Sequence, residues 1–529
     1  PGGIVGGIQG LVSRLRGRAK SSSSALPPSP SPGNKPLRAP SGPGRAPSGP
    51  AGAALSGWPL MRNGPCFGKG VALCGLCDYS HGITHLPTVR VAPASPRRCA
   101  SRGGIYVGKA FATRAIAVAS IAALGIAGSI SPASAADPGV TKSKITIGMT
   151  TPLTGPAAPG YKDIAPAAKA YFKYVNANGG INGRKVDLKV YDDAYNPAKT
   201  KVGTNQLINR DKIFAMYGAL GTPTHSAVVQ DLNRRGIPDV FVNTGGAAFD
   251  NPRRYPMTFP YFPSYIVEAK AMGYYISNTS SLKSKRACLM YQDGEFGQNA
   301  KTGFKAAGIN FAEETSYYSG QQLAGFQSQV TTLARAKCEL VVFFGVTSAT
   351  AVLLGTAAKA GFKPTWMVTS VGSDPDIIGA LAGSKALLND VYVPSWIVPI
   401  QDTNNAYVKQ MKVIANRAGL PWNFYTYYGI NTAYVLAQAL ESAGPNLTRK
   451  GFVKALEKNA SKFRSAAVVP MRFSKSSHQG LTGFYMGQYD MKGNVDRLTK
   501  YIMVATSSSS GKAKKAAYRP AGPTKKLLP

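Results

Sequence analysis

Few residues of this chain have the type and spacing that chemistry requires. Five cysteines and histidines near the N-terminus have spacings that would suit zinc: Cys66, Cys74, Cys77, His81 and His85. No apolar pattern surrounds them, and such spacings also arise by chance in cysteine-bearing disordered sequence. We therefore expect no metal site.

Paired carboxylates are the second candidate. Asp192 and Asp193 end the run KVDLKVYDD at 185–193, whose alternating apolar residues predict a strand. The carboxyl ends of strands in open α/β sheets are where clefts form. The pair could therefore contact a ligand, although a solvated charge pair before a helix is the favoured interpretation.

Motifs of catalysis are missing from the sequence. It contains no G-x-G-x-x-G after a predicted strand, no phosphate-binding loop, no H-E-x-x-H and no G-x-S-x-G. Beyond residue 135 the histidines are His225 and His478, far apart in sequence. Neither has an evident triad partner, and His225 is expected at the surface. We predict a protein that is not an enzyme and needs no cofactor.

The formal net charge of +38 would suggest a nucleic-acid or membrane partner if it were evenly spread. It is not, because 15 of the 62 basic residues but only one of the 24 acidic residues precede residue 136. Residues 506–529 add six basic residues and no acid. We expect no nucleic-acid partner and a disordered basic tail at 506–529, with weak binding to an acidic polymer or lipid surface as the alternative.

The first 106 residues are rich in Pro, Gly, Ser, Ala and Arg without a period, as in SSSSALPPSPSPGNKPLRAP. Such a composition cannot bury a core, so residues 1–106 are expected to be a disordered or mis-translated extension. Residues 107–135 then resemble an export signal. Lys109 and Arg114 precede an apolar run, and Ala133-Ser134-Ala135 forms a small-x-small cleavage site. We expect cleavage after Ala135 and an exported protein in the periplasm or cell envelope.

Strand-like and helix-like runs alternate beyond this segment, which predicts an α/β protein with parallel sheets. The helix predicted at 162–178 stops at Gly179-Gly180, where a left-handed cap needs glycine, and Asn182-Gly183 turns into the next strand. A second alternating set begins after FPYFPSY at 259–265, and short strands are expected around 469–474 and 484–490.

Two cysteines, Cys288 and Cys338, lie in this α/β region. They flank or open apolar runs that are predicted strands of one sheet. A disulfide between them and two buried free thiols are both compatible with the sequence.

The ordered motifs ITIGMTTPLTGP, NANGGINGRKVDLKVYDDAYNP, YGALGTPTHSAVVQDLNRRG and LMYQDGEFGQNAKTGFKAAG resemble the branched-chain amino acid-binding proteins of ABC importers, from about Lys144 to about Asp490. The resemblance implies a type I periplasmic-binding-protein fold: two Rossmann-like lobes with parallel-rich sheets, joined by a three-stranded hinge. Lobe 1 would comprise 144–262 and 396–467, and lobe 2 would comprise 263–395 and 468–505. The hinge would cross at 259–265, 393–399 and 468–473.

The resemblance also implies ligand-binding residues. Thr222 takes the place of a hydroxyl that binds the ligand carboxylate, although it could instead cap the following helix. Gly245, Gly246 and Ala247 would offer backbone groups, or form a plain tight turn. Gly160 or Tyr161, Phe296, and Tyr425 or its neighbour Phe424 match aromatic positions of the pocket, each with core packing as the alternative.

One position departs from the family. The acidic residue that holds the ligand ammonium is replaced by Val371, and the nearest acid is Asp374. The implied function is capture of a small carboxylate-bearing ligand, such as a branched-chain amino acid, by a monomeric receptor that docks on a membrane permease. A receptor for carboxylates or amides without an ammonium group, and a sensor of the same fold, are the alternatives.

Overall fold

The structure is a computed structural model and describes residues 137–529 apart from residue 525. The predicted extension at 1–106, the predicted signal peptide at 107–135 and the cluster of Cys66, Cys74, Cys77, His81 and His85 lie outside the described residues. Within residues 137–529, apart from residue 525, no helix is both long and apolar enough to cross a membrane.

The first sheet has five parallel strands in the order β2-β1-β3-β4-β5. The inner strand β1 is buried along almost its whole length, as expected for a parallel strand covered on both faces. The strands are β1 (Lys144–Thr151), β2 (Lys185–Asp192), β3 (Ala215–Tyr217), β4 (Asp239–Val242) and β5 (Thr258–Pro260).

Helices follow the strands of this sheet. They are α1 (Ala158–Tyr161), α2 (Ile164–Ala177), α3 (Pro197–Asn209), α4 (Thr222–Ser226) and α5 (Val229–Arg234). Helix α2 ends as predicted. Gly179 has φ +94°, and the N–H of Gly180 donates to the carbonyl of Val175 at 3.0 Å, which is a Schellman cap.

The second sheet has nine strands. Strands β7, β6, β8, β9 and β10 are parallel neighbours, and antiparallel strands β11 to β14 extend the sheet beyond β10. The strands are β6 (Ala287–Gln292), β7 (Glu313–Tyr317), β8 (Leu340–Phe344), β9 (Thr365–Val368), β10 (Tyr392–Ser395), β11 (Gly483–Tyr489), β12 (Val495–Arg497), β13 (Ile502–Val504) and β14 (Lys514–Ala516).

The remaining helices complete two layers around the sheets. Six lie between β5 and β10: α6 (Tyr265–Asn278), α7 (Ser280–Lys283), α8 (Glu295–Ala307), α9 (Gln327–Arg335), α10 (Thr347–Lys359) and α11 (Pro375–Ala382). Three more return to the first sheet: α12 (Ala406–Arg417), α13 (Phe424–Ser442) and α14 (Arg449–Asn459). The two-lobed α/β fold class is confirmed. The strand expected at 469–474 is absent, because the backbone there bonds locally: the N–H of Arg472 donates to the carbonyl of Gly480, and Ser474 pairs with Ser477 in an isolated bridge.

We call the part built on the five-stranded sheet lobe 1 and the part built on the nine-stranded sheet lobe 2. The chain passes between them at three places that lie side by side. The N–H of Val468 donates to the carbonyl of Trp396 at 2.8 Å, and the N–H of Gly480 donates to the carbonyl of Pro260 at 3.0 Å. These backbone hydrogen bonds tie the crossings into one hinge.

The C-terminal residues differ from the expectation of a disordered tail. Strand β14 pairs with β13 at the edge of the second sheet, and Leu527 and Leu528 are buried. The prediction rested on charge and composition, and it was wrong because the segment is held by backbone hydrogen bonds and two terminal leucines.

The two cysteines are bonded to each other. Cys288 lies in β6 and Cys338 just before β8, on adjacent strands, with their Cα atoms 5.8 Å apart. This distance is within the range of ordinary disulfides. The alternative of two free thiols does not apply in this structure.

We expect the disulfide to stabilise lobe 2. It closes a loop with a sequence separation of 50 residues, for which the loss of chain entropy in the unfolded state corresponds to about 2 to 4 kcal/mol. Urea unfolding of the double variant Cys288→Ala/Cys338→Ala should show a free energy of unfolding lower by that amount. Reductant should destabilise the parent protein and leave the double variant unchanged; equal stability of the two proteins without reductant would contradict the expectation.

Candidate ligand-binding site

The candidate site lies where the carboxyl ends of the parallel strands of both lobes meet. Loops after β1, β2, β3 and β4 come from lobe 1, and loops after β6, β8 and β9 come from lobe 2. The loops touch across the cleft: Ser348 donates its hydroxyl to the carbonyl of Pro156 at 2.8 Å. This is the general position of ligand sites in open α/β sheets.

A group of buried hydroxyls forms the lobe 1 wall. Thr222 Oγ1 and Thr244 Oγ1 are 2.6 Å apart, and Thr244 Oγ1 lies 3.3 Å from the hydroxyl of Tyr265. The cap position of α4 is Gly221, with φ +99°, so Thr222 is the first helical residue and not the cap. Its hydroxyl is therefore directed at Thr244. The sequence pointed to Thr222, but nothing in it showed that Thr244 and Tyr265 would join it.

Gly245 and Gly246 allow a close turn beside these hydroxyls. A Cβ on Gly245 would lie 2.8 Å from the backbone nitrogen of Tyr265, which donates to the Gly245 carbonyl at 2.8 Å. The N–H of Gly246 points back to Thr244 Oγ1 at 3.3 Å. In this structure the backbone groups of both glycines form the bonds of a tight turn, which was the alternative to a role in ligand binding.

Ala247 reaches the other lobe. Its N–H donates to Asn299 Oδ1 in α8 at 2.7 Å, and the N–H of Ala248 donates to Glu295 Oε1 at 3.2 Å. The backbone group expected to face a ligand is thus used in a contact between the lobes.

Two tyrosines of lobe 1 cross the cleft. The Tyr161 hydroxyl donates to the carbonyl of Val371 at 2.6 Å, and the Tyr425 hydroxyl hydrogen-bonds Thr347. The two rings pack with centroids 4.7 Å apart. Gly160 has φ +83°, and an added Cβ would lie 2.1 Å from the Tyr425 ring. Tyr161 therefore lies in the cleft, and Gly160 leaves room for the ring of Tyr425.

Phe296 is buried at the start of α8. Its ring packs 4.3 Å from that of Tyr265 and 6.0 Å from that of Phe344. Phe296 thus contacts the cluster of hydroxyls in lobe 1 on one side and the core of lobe 2 on the other. It is therefore a core residue that also borders the candidate site.

Asp374 is occupied by two backbone groups. Its carboxylate accepts from the N–H of Ile377 at 2.8 Å, as the cap of α11, and from the N–H of Phe424 at 3.1 Å. Burial raises the pKa of Asp374 to about 6. Since Phe424 begins α13 in lobe 1, this contact spans the lobes, and both carboxylate oxygens of Asp374 accept from backbone N–H groups.

The paired aspartates shape loops. Asp192 accepts from the N–H groups of Leu153 and Thr154 at 2.9 and 3.2 Å. Asp193 is buried and accepts from the N–H of Tyr195 at 2.9 Å, and burial raises its pKa to about 6. The favoured interpretation as a solvated pair was wrong for Asp193.

Tyr195, which the sequence analysis did not select, lies in the cleft next to these aspartates. It has a positive φ of +59°, and its ring lies so close to Gly221 that a Cβ there would be 2.4 Å away.

His225 is also buried, contrary to the expectation of a surface position. Its Nε2 hydrogen-bonds Asp239 at 2.9 Å, and Thr258 donates to the same carboxylate at 2.8 Å. These bonds tie α4 to β4 and β5 beneath the Thr222 loop. His478 likewise stacks on Phe259, with ring centroids 3.9 Å apart.

Glu268 is a further site residue that the sequence analysis missed. It lies one turn into α6, is fully buried, and accepts from the N–H of Ser370 at 2.6 Å and the hydroxyl of Thr369 at 2.8 Å. Burial raises its pKa to about 7. The carboxylate thus holds the loop immediately before Val371. No local sequence signal marks this residue, because its partners lie about a hundred positions further along the chain.

The fold and the cleft between the lobes define a two-lobed binding protein. A family model described as "Periplasmic binding protein" matches residues 144–494. The chain therefore belongs to the periplasmic binding protein family, whose members bind solutes.

Individual proteins are similar to this chain in sequence or in fold. A Leu/Ile/Val-binding protein homolog of Brucella melitensis is 30% identical over 204 residues, which span 38% of this chain and 54% of that protein. The structure of a branched-chain amino acid ABC transporter protein from Thermus thermophilus with bound valine has a TM-score of 0.61 at 20% identity, covering 68% of this chain and 96% of that one. A solute-binding protein of R. palustris in complex with benzoate has a TM-score of 0.59 at 19% identity, covering 72% and 99%.

We predict that Glu268→Gln stabilises the protein increasingly as the pH rises from about 4.5 to 7. The folded-state pKa of about 7 exceeds the ordinary value of 4.5, so the folded protein holds the proton more tightly. The contribution of Glu268 to stability is therefore largest below pH 4.5 and falls as the pH rises to 7. At pH 8 the glutamine variant should be more stable by about 1 to 3 kcal/mol.

Chemical denaturation at pH 5 and pH 8 tests this prediction. The exposed Asp496→Asn is the control and should show no such pH-dependent difference from the parent. A constant difference between Glu268→Gln and the parent at both pH values would contradict the prediction.

Proposed function

We propose that this protein is the extracytoplasmic solute-binding receptor of an ABC importer, and that it captures a small carboxylate-bearing ligand between its lobes. The observation that carries the proposal is the cluster of three buried hydroxyls, those of Thr222, Thr244 and Tyr265, at the carboxyl ends of β3 and β4 and opposite lobe 2. Membership of the periplasmic binding protein family supports it.

The cluster of three hydroxyls could bind a carboxylate. Hydroxyls can donate to each oxygen of an anion, and such charge-assisted bonds are stronger than those between neutral groups. In a cleft that excludes water these bonds are worth more than at the surface. Ligand would bind lobe 1 first, and hinge closure would bring the Val371 loop over it.

The Val371 loop of lobe 2 would meet the second end of the ligand. The carbonyl of Val371 points into the cleft, where Tyr161 donates to it, and could accept from an ammonium group. Asp374 is held by Ile377 and Phe424, so it is a poor ammonium partner in this conformation. A branched-chain amino acid and a carboxylate or amide without ammonium are therefore both retained as ligand classes.

The remaining parts of the proposal follow from the receptor role. The protein is exported to the periplasm or cell envelope, acts as a monomer and delivers its ligand to a membrane permease. It performs no chemistry on the ligand and binds no nucleic acid. A sensor that passes the closed state to a receptor instead of a permease is the alternative, and co-purification with the permease would distinguish the two.

Thr222→Ala should weaken ligand binding. A thermal-shift screen of amino acids, short-chain carboxylates, amides and aromatic acids would first identify a stabilising compound. Loss of a hydrogen bond to a charged group should then reduce its affinity about 10- to 100-fold, as measured by calorimetry. Ser226→Ala, an exposed position in the same helix, is the matched control and should bind as the parent does. Parent-like affinity of Thr222→Ala would contradict the assignment.

The same screen separates the ligand classes. Stabilisation by leucine, isoleucine or valine would establish an amino-acid receptor. Groups other than the Val371 side chain would then bind the ligand ammonium. Stabilisation only by acids or amides that lack an ammonium group would mean that Val371 marks a change of substrate class. The absence of any stabilising compound in all four classes would count against the proposed function itself.

A further inference from the structure

The C-terminal residues 506–529 pass from one lobe to the other. They begin behind β13 in lobe 2, form β14 at the sheet edge, and end against lobe 1. The family model ends at residue 494, so this segment lies beyond the region that matches the family. We call residues 506–529 the strap.

The strap is anchored to lobe 2 by two sets of bonds. Strand β14 pairs with β13 in the register Ile502 to Ala516 and Val504 to Lys514. Before β14, the ammonium group of the buried Lys270 donates to three strap carbonyls, those of residues 506, 508 and 510, at 3.1, 2.8 and 2.6 Å. A buried ammonium needs such acceptors, so the anchor fixes this part of the strap on α6.

Three tyrosines of lobe 1 hold the other end. The Tyr407 hydroxyl donates to the carbonyl of Ala521 at 2.6 Å, and the N–H of Thr524 donates to the Tyr434 hydroxyl at 3.0 Å. Tyr171 donates to the carbonyl of Leu527 at 3.0 Å. Leu527 and Leu528 are buried at 5% and 1% exposure. The end of the chain is thus part of the lobe 1 core.

The span between the anchors is short. From Ala516, the last residue of β14, to Ala521 there are five residue steps, which reach at most about 17 Å when fully extended. Tyr518 and Pro520 within this span line one groove together with Val398 and Val468 of the hinge crossings. Rotation of one lobe away from the other therefore changes the distance that these five residue steps must span beside the hinge.

We propose that the strap is a fourth connection between the lobes, which favours the conformation in which the lobes touch and so raises ligand affinity. The inference rests on the proposed function, since affinity depends on it only if the cleft binds ligand. Because the strap is anchored to both lobes, it stabilises the distance between the lobes at which both anchors can form. A ligand then loses less free energy in selecting the closed state, because the binding-competent fraction is larger.

The test uses three variants of the full-length chain. The first ends at Ala516 and so lacks the lobe 1 anchor. The second keeps every residue and inserts six Gly/Ser residues between Ala516 and Ala517, which gives the strap slack. The third, the matched control, inserts the same six residues between Ser510 and Gly511, where both flanking anchors belong to lobe 2.

Solution scattering of the ligand-free proteins should show a larger radius of gyration for the truncated and slack variants than for the parent and the control. Affinity for valine or benzoate, whichever binds the parent, should fall about tenfold in the same two variants. A slack variant that matches the parent in both measurements, while truncation lowers only the melting temperature, would overturn the proposal and leave the strap a packing element.

The two proposals fail separately. If neither valine nor benzoate binds the parent, the scattering comparison still decides the role of the strap. If ligand binds and Thr222→Ala weakens it, but the slack variant behaves as the parent does, the receptor function stands and the strap proposal is wrong.

Discussion

The structure depends on the parallel direction of its central strands. Because β1 to β5 and β6 to β10 run parallel within each sheet, the loops that follow them collect at one edge of each lobe. The hinge sets these edges face to face. Tyr161 and Val371 come from distant parts of the chain, and they meet only because β1 and β9, the strands before them, end at the same cleft.

Buried carboxylates hold the loops in place. Asp193, Glu268 and Asp374 each accept backbone N–H groups near the cleft, and burial raises the pKa of each. A desolvated carboxylate is a strong acceptor, but it lowers stability as the pH rises. Two of the three, Glu268 and Asp374, also organise the loop around Val371, so acids hold this loop on both sides.

Local patterns allowed much of the fold to be predicted. Alternation in KVDLKVYDD and the glycines after α2 are signals within a few residues, and both were interpreted correctly. The partners of Thr222 and Glu268 could not be predicted in this way, since a hydroxyl or carboxylate gives no sign of which distant backbone group it will meet. The burial of His225 was missed for the same reason, because its partner Asp239 belongs to another strand.

The C-terminal segment shows how charge can mislead. Its six basic residues and lack of acids are typical of a disordered tail, yet its anchors use little of that charge. Lobe 2 holds its backbone carbonyls through Lys270, and lobe 1 holds it through tyrosine hydroxyls and two leucines. Lys514 and Lys515 lie exposed on the edge strand, where lysines discourage pairing with another chain. The two exposed lysines thus protect the edge strand, while the carbonyls and leucines of the strap connect it to both lobes.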